Sequence, residues 1–214
     1  MSPATLRFWA DRFIWTSPRH VGAETSRPAV AILIGGWGDL TLGHEARTLS
    51  GRALVIGPNV KRSIAAEHGF YSFNLDPVHR LTRSLRQACA AAGGVIDLSA
   101  RLDAAVHGCV AGAIREPMDC AQAWRVSESV LSALFPDAAR LDAIDERVDR
   151  VAAWLRQHLP NRPQLPELAT LCGLSQGRLT HLFSEELGVS IKSYLLAMKM
   201  RKAAELFGAD HTLT

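Results

Sequence analysis

The chain has 214 residues, 48% hydrophobic and 21% charged, with a net charge of +3. That is enough for two modest domains or one large one around a real core, with the composition of an ordinary globular protein. Residues 1–140 carry 15 Lys+Arg and 12 Asp+Glu, and residues 141–214 carry 9 of each, so the total charge does not announce nucleic acid; only local placement of charge could.

Residues 1–76 read as β-rich. Residues 30–34 form a buried strand candidate ended by Gly35-Gly36, Ala53–Ile56 a second stopped by Gly57-Pro58-Asn59, and the aromatic, alternating 69–75 a third. Short strands separated by Gly, Pro and Asn suggest a small barrel or sandwich. At Asp76-Pro77 the texture changes, with Asp an apt N-cap and Pro preset for a first turn. Leu81, Leu85, Ala88 and Ala92 then repeat at helical spacing as far as Gly93-Gly94. Further helices are expected over 100–110 and Cys120–Leu134. The long apolar stripes of 76–93 and Cys120–Leu134 suggest dimerisation surfaces. Phe135-Pro136-Asp137 reads as a linker. Beyond Asp142 the pattern is helical almost without pause, with Ile144, Val148, Val151, Ala152 and Leu155 in one stripe and Pro160 and Pro163 at its end.

The stretch LATLCGLSQGRLTHLFSEELG, residues 168–188, breaks a helix and restarts it at once. Two steeply crossing helices need a small residue where they touch, here Ala169. The tight turn needs a residue comfortable at positive φ, here Gly173. The second helix must lock on by an apolar face, here Leu179, Leu182 and Phe183. Ser175 is an apt N-cap for that helix, Gly188 ends it, and Ser190 can cap the next. A helix broken this way can enter a major groove about 12 Å wide. Its outward face is Gln176, Gly177, Thr180, His181 and Ser184, of which Gln, Thr and His can hydrogen-bond base edges; Arg178 flanks it and suits a phosphate. Five basic residues between 175 and 202 (Arg178, Lys192, Lys199, Arg201, Lys202) face two acidic ones, Glu185 and Glu186.

LPELATLCGLSQGRLTHLFSEELGVSIKSYLLAMKMRKAAELF, within residues 141–214, resembles the AraC family of bacterial transcription regulators. The family's DNA-binding domain carries two helix-turn-helix units joined by a central helix. Residues 165–187 match the first unit and residues 190–207 the joining helix. The resemblance places Gly177, Thr180 and His181 at base-facing positions and Ser175, Arg178 and Lys192 near phosphate-contacting ones. Gly177 departs from a useful side chain, which leaves direct reading to Thr180 and His181. The second unit is missing from this chain, so the resemblance implies a truncated DNA-binding domain and weak DNA binding by residues 1–214. It also implies a cupin-like β-barrel that senses a ligand or mediates dimerisation. The expected architecture is therefore α+β: a sensor or dimerisation domain over 1–138 (1–76 β-rich, 77–138 helical) and a helix-turn-helix domain over 139–214. The implied partners are double-stranded DNA in its major groove, a second copy as homodimer and a small-molecule effector, with RNA polymerase as a further candidate.

Other chemistry finds little support. Gly35-Gly36-Trp37-Gly38 lacks the GxGxxG spacing and reads as a hairpin turn. His44-Glu45 has no His-x-His beside it, and His20, His68 and His79 are scattered, so a non-metal barrel without cofactor is expected. There is no GxSxG, HExxH or P-loop, and no catalytic residue is assigned; no enzyme is expected. Cysteines 89, 109, 120 and 172 form no CxxC pair and suit reduced thiols in packed helices. No apolar run reaches the roughly 18 residues of a membrane span, and MSPATLRFWADRF has no signal pattern, so a cytoplasmic protein is expected. Trp9, Trp15, Trp37, Phe70, Tyr71 and Phe73 suit a packed core before a ligand pocket. The reading from a different class is a small-molecule-binding or enzymatic cupin-like domain with a helical structural appendage. Burial of the Thr180–His181 face against residues 1–134 would favour it.

Overall fold

The alternating sequences TLRFW and RFIWTS, separated by Ala10-Asp11, form the first hairpin: β1 (Thr5–Trp9) pairs antiparallel with β2 (Arg12–Ser17), Leu6 opposite Trp15 and Phe8 opposite Phe13. The computed structural model describes residues 4–116, 118–141, 143–159 and 163–208. Asp142, Pro160 and residues 209–214 lie outside the described residues. After β3 (His20–Val21) come β4 (Ala31–Gly35), β5 (Leu40–His44), β6 (Arg47–Gly51), β7 (Ala53–Ile56), β8 (Ser63–Ala66) and β9 (Phe70–Leu75). With β10 (Val95–Asp97) they build a six-stranded sheet in the order β1-β2-β9-β4-β7-β10 and a four-stranded sheet in the order β3-β8-β5-β6. The two sheets enclose a cupin-like interior.

The larger sheet is buried on both faces, which explains the unbroken apolar runs AILI and ALVI. Ala31, Leu33, Leu54 and Ile56 point between the sheets, while Ile32, Ile34, Ala53 and Val55 point to the helical side. There lie α1 (Arg80–Ala91), α2 (Ala104–Arg115) and α3 (Cys120–Leu134), which contribute Leu81, Leu85, Val110, Ile114, Val130, Leu131 and Leu134 to one core with Tyr71 and Phe73. A second core gathers Val148, Val151, Ala152 and Leu155 of α4 (Glu146–Gln157) with α5 (Leu165–Leu171), α6 (Gln176–Leu187) and α7 (Ile191–Gly208). The fold is thus α+β, a cupin-like β domain with following helices and a C-terminal helical helix-turn-helix domain.

Several expectations are corrected. Asp76 does not cap α1. His79 does, its Nδ1 accepting the Leu81 N–H at 3.2 Å, and Asp76 is drawn instead into the seam between the halves. The stretch 77–138 is not purely helical, because β10 closes the sheet against β7, Ile96 opposite Val55. The helix expected at 100–110 begins at 104, where the Asp103 side chain accepts the Val106 N–H at 2.8 Å; residues Ser99–Arg101 form a 3-10 turn first. Gly35-Gly36-Trp37-Gly38 is no hairpin turn, since β4 and β5 lie in different sheets. It is a corner, where Gly36 and Trp37 donate to the Gly69 and His68 carbonyls. The large apolar residues of these stripes, Leu81 and Leu85 of α1 and Val130, Leu131 and Leu134 of α3, are spent on the core, and of the α1 stripe Ala88 and Ala92 stay exposed, so neither stripe is a free dimerisation surface.

Candidate nucleic-acid interface

α5 starts where the Gln164 N–H donates to Glu167 Oε2, with Pro166 in its first turn. It stops at Cys172 because Gly173 turns left-handed, φ +66°, and Leu174 N–H folds back to the Ala169 carbonyl at 3.0 Å. Ala169, 4% exposed, lies between the helices. Ser175 Oγ then accepts the Arg178 N–H at 3.3 Å and α6 begins. Leu179, Leu182, Phe183 and Leu187 bury one face of α6 against α4, α5 and α7, with Phe183 edge-on to Tyr194 at 5.7 Å. Ser190 Oγ accepts the Ser193 N–H at 3.1 Å and caps α7.

The opposite face of α6 is in solvent. Gln176, Gly177, Arg178, Thr180 and His181 are exposed and Ser184 is half-buried, around a shallow depression bordered by Leu165 and Glu185. Thr180 Oγ1 donates to its own helix, at the Gln176 carbonyl 2.9 Å away, which leaves its lone pairs and methyl outward. His181 Nδ1 stands 3.5 Å from Glu185 Oε2. Lys192 is exposed on α7. Not all of the expected basic charge faces this way. Arg201 is 13% exposed and pairs with Asp76 and Glu205, and Lys202 pairs with Glu205 at 3.2 Å.

The far end of α6 is fastened to the β domain. Arg83 of α1 meets Glu186 at 3.1 Å, Arg86 donates to the Glu185 carbonyl at 2.8 Å, and Glu186 also accepts the Asp145 N–H at 3.3 Å. The Arg86 side chain lies where a Cβ on Gly188 would project, so glycine there, at φ +72°, both ends α6 and admits the arginine. Asp145, which caps α4, has its carboxyl pulled down to about 2, first by the Arg147 guanidinium hydrogen bond. In the seam, Asp76 Oδ1 accepts from Val78 N–H at 3.0 Å and Tyr194 Oη at 3.4 Å, and Arg156 donates to Tyr194 Oη at 3.0 Å. Asp76 Oδ2 has only Arg201 at 3.5 Å, an ion-pair distance without a hydrogen bond. Burial outweighs these partners and raises the Asp76 carboxyl; burial, then Asp76 itself, raises the Tyr194 phenol.

Elsewhere His44 proves structural. Both His44 ring nitrogens face carbonyls, of Lys61 at 2.9 Å and Gly93 at 3.1 Å. Among the described residues no three His, Cys, Asp or Glu gather as a metal site, and no helix is long and apolar enough to cross a membrane. Phe70, Tyr71 and Phe73 are core residues; Trp37 is exposed, beside Arg115. The seam formed by Asp76, Arg83, Arg86 and Glu186 was not foreseen. Its one sequence trace is the acidic pair Glu185-Glu186 on an otherwise uncharged helix end.

No protein-family model matches the sequence, and no curated protein matches it. Solved structures do. ToxT from Vibrio cholerae superposes with a TM-score of 0.54 at 7% identity, over 98% of this chain and 85% of that one. An apo lysine variant of ToxT gives 0.56 at 7% identity, over 91% and 82%. Wild-type ToxT with an unsaturated fatty acid bound gives 0.50 at 9% identity, over 99% and 84%. At such identities the likeness is one of fold, and it spans both halves of the chain.

Proposed function

We propose that this chain is a transcription regulator of the AraC type, reading double-stranded DNA with α6 in the major groove, under a β domain that senses a small molecule. The observation that carries the reading is the exposure of Gln176, Thr180 and His181 on a helix whose other face is locked in a core. A structural appendage would spend that face on residues 1–134, which favours the regulator over an enzymatic cupin-like domain. In this reading Thr180 and His181 contact base edges, with Gln176 beside them. Ser175, Arg178 and Lys192 meet phosphates, and Gly177 lets the backbone approach. Leu196, Met200 and Leu206 stand exposed on α7, a face suited to pack against a second helix-turn-helix unit. A homodimer would use a surface other than the α1 and α3 stripes. The fatty acid bound in ToxT supports a small-molecule effector here.

Enrichment of a random duplex library on the protein, then anisotropy titration at fixed salt, tests the reading. Thr180→Ala with His181→Ala should lose preference for the enriched site by about 1–3 kcal/mol per contact, with an unchanged unfolding curve. Arg178→Ala and Lys192→Ala should weaken all sequences alike. A double variant that binds the enriched site as wild type refutes the assignment.

A further inference from the structure

We propose that the space between the two sheets binds a small organic anion, a carboxylate or a phosphate, gripped by Arg62 and Arg27. The proposal deepens the regulator reading by naming the ligand class of the β domain, and it rests on that reading only for its consequence on DNA.

A cavity of about 210 Å³ lies there, bordered by Arg27, Arg62, His20, Trp15, Ser72 and Asn74. Arg62 is 3% exposed, and its Nε is sealed from solvent with no hydrogen-bond acceptor. Its Nη1 donates to the Val60 carbonyl at 3.2 Å and the Thr25 carbonyl at 3.4 Å, which fixes the plane of the guanidinium. Two neutral carbonyls do not discharge a buried cation. Arg27, half-buried, leans over the Trp15 ring at 5.8 Å and adds a second positive charge. Among the described residues no carboxylate acts on either arginine. Burial pulls both guanidinium groups below their usual range, and Arg27 pulls Arg62 further.

A site that sets a half-buried cation beside a buried one, with one buried N–H left without an acceptor, lacks an anion. The side edge of a guanidinium offers two parallel N–H groups, which match the two oxygens of a carboxylate or two of a phosphate. The remaining wall says what the rest of the ligand is. Trp15 and Phe70, edge to face at 4.8 Å, supply an apolar surface, and Asn74 Nδ2 donates to Ser72 Oγ at 3.0 Å on the floor. His20 is kept neutral by burial and then by Arg27, so it can bond the ligand without adding charge. The volume is below the roughly 300–1,000 Å³ of pockets for drug-sized ligands, which selects a small anion over a long-chain one.

Calorimetric titration and thermal melting of residues 1–214 with benzoate, succinate and inorganic phosphate, at constant ionic strength, test the site, with benzamide as the uncharged twin of benzoate. At least one anion should bind saturably and, at about 100 times its Kd, raise Tm by about 5–10 °C; benzamide should not. The benzoate and phosphate arms decide which anion chemistry is preferred. Arg62→Met should weaken binding at least about tenfold, as loss of a charged bidentate contact does. Should Arg62→Met not fold, Arg27→Gln carries the same expectation. Absence of binding by all three anions up to about 10 mM, well past ordinary ligand affinities, overturns the proposal. So does equal binding of benzamide and benzoate, or unchanged anion affinity in the folded variants. These measurements use no DNA, so they fail or succeed independently of the anisotropy test.

Discussion

Acid should weaken this protein through one histidine. His79 caps α1 as a neutral ring, because Nδ1 must accept the Leu81 N–H. Burial, then the nearby Arg12, lowers its pKa from 6.5 to about 4, against a smaller upward pull from Asp11, whose Oδ2 lies 3.6 Å from Nε2. The unfolded ring therefore takes a proton near pH 6.5 while the folded ring resists it down to about 4. The stabilisation is complete above 6.5 and is lost progressively as pH falls through that window. At 1.36 kcal/mol for each pH unit, the full loss is about 3 kcal/mol, of which about 2 kcal/mol falls between pH 7 and 4.5. Asp76 works the other way: its raised carboxyl returns stability as pH falls through its folded pKa. A single pH curve mixes the two, so the measurement is a difference. Urea unfolding of the wild type and His79→Asn, which keeps a capping acceptor without a charge, should be compared at pH 7 and 4.5. The wild type should lose about 2 kcal/mol more than the variant. Parallel losses would refute the buried, neutral cap.

Gly173→Ala should cost about 1–2 kcal/mol in the urea midpoint, since its Cβ would meet nothing within 4 Å and only the left-handed backbone resists it. An unchanged midpoint would mean that the turn does not hold φ positive. Cys109 and Cys120 are exposed and should react quickly with a thiol reagent. Cys172 is buried, and burial pushes the Cys89 thiol up to about 11, so both should react only after unfolding. Three or four fast thiols in the native protein would contradict the packing of α1 or α5.

What could be read from the sequence was local. Gly173, Ser175, Gly188 and Ser190 each act on backbone within four residues of themselves, and each does in the structure what its type dictates. Ala53–Ile56 stops at Gly57-Pro58 and Cys120–Leu134 stops before Phe135-Pro136, the ends that those residue types mark in the sequence. What failed was non-local. The Asp76-Pro77 cap signal was sound chemistry, but Tyr194 and Arg201, more than a hundred residues away, claim that carboxylate. β10 has three residues, too few for a period, and exists only because the β7 edge is open to it. An apolar stripe shows that a face is to be covered and not what covers it, so the stripes of α1 and α3 suit a second copy as well as a core. The Arg27–Arg62 pair was invisible for the same reason: nothing in sequence shows that two arginines share a cavity without an acid.

α6 serves two masters, its tip turned to solvent and its base tied to α1 by Arg83, Arg86 and Glu186. α6 spans about 18 Å and is held in one core with α4, α5 and α7, so tilting that core by about 10° about the tie to α1 would carry the exposed end of α6 through about 3 Å, a full hydrogen-bond length. On the proposed regulator reading, slight settling of the β domain around a ligand would reach that exposed end magnified.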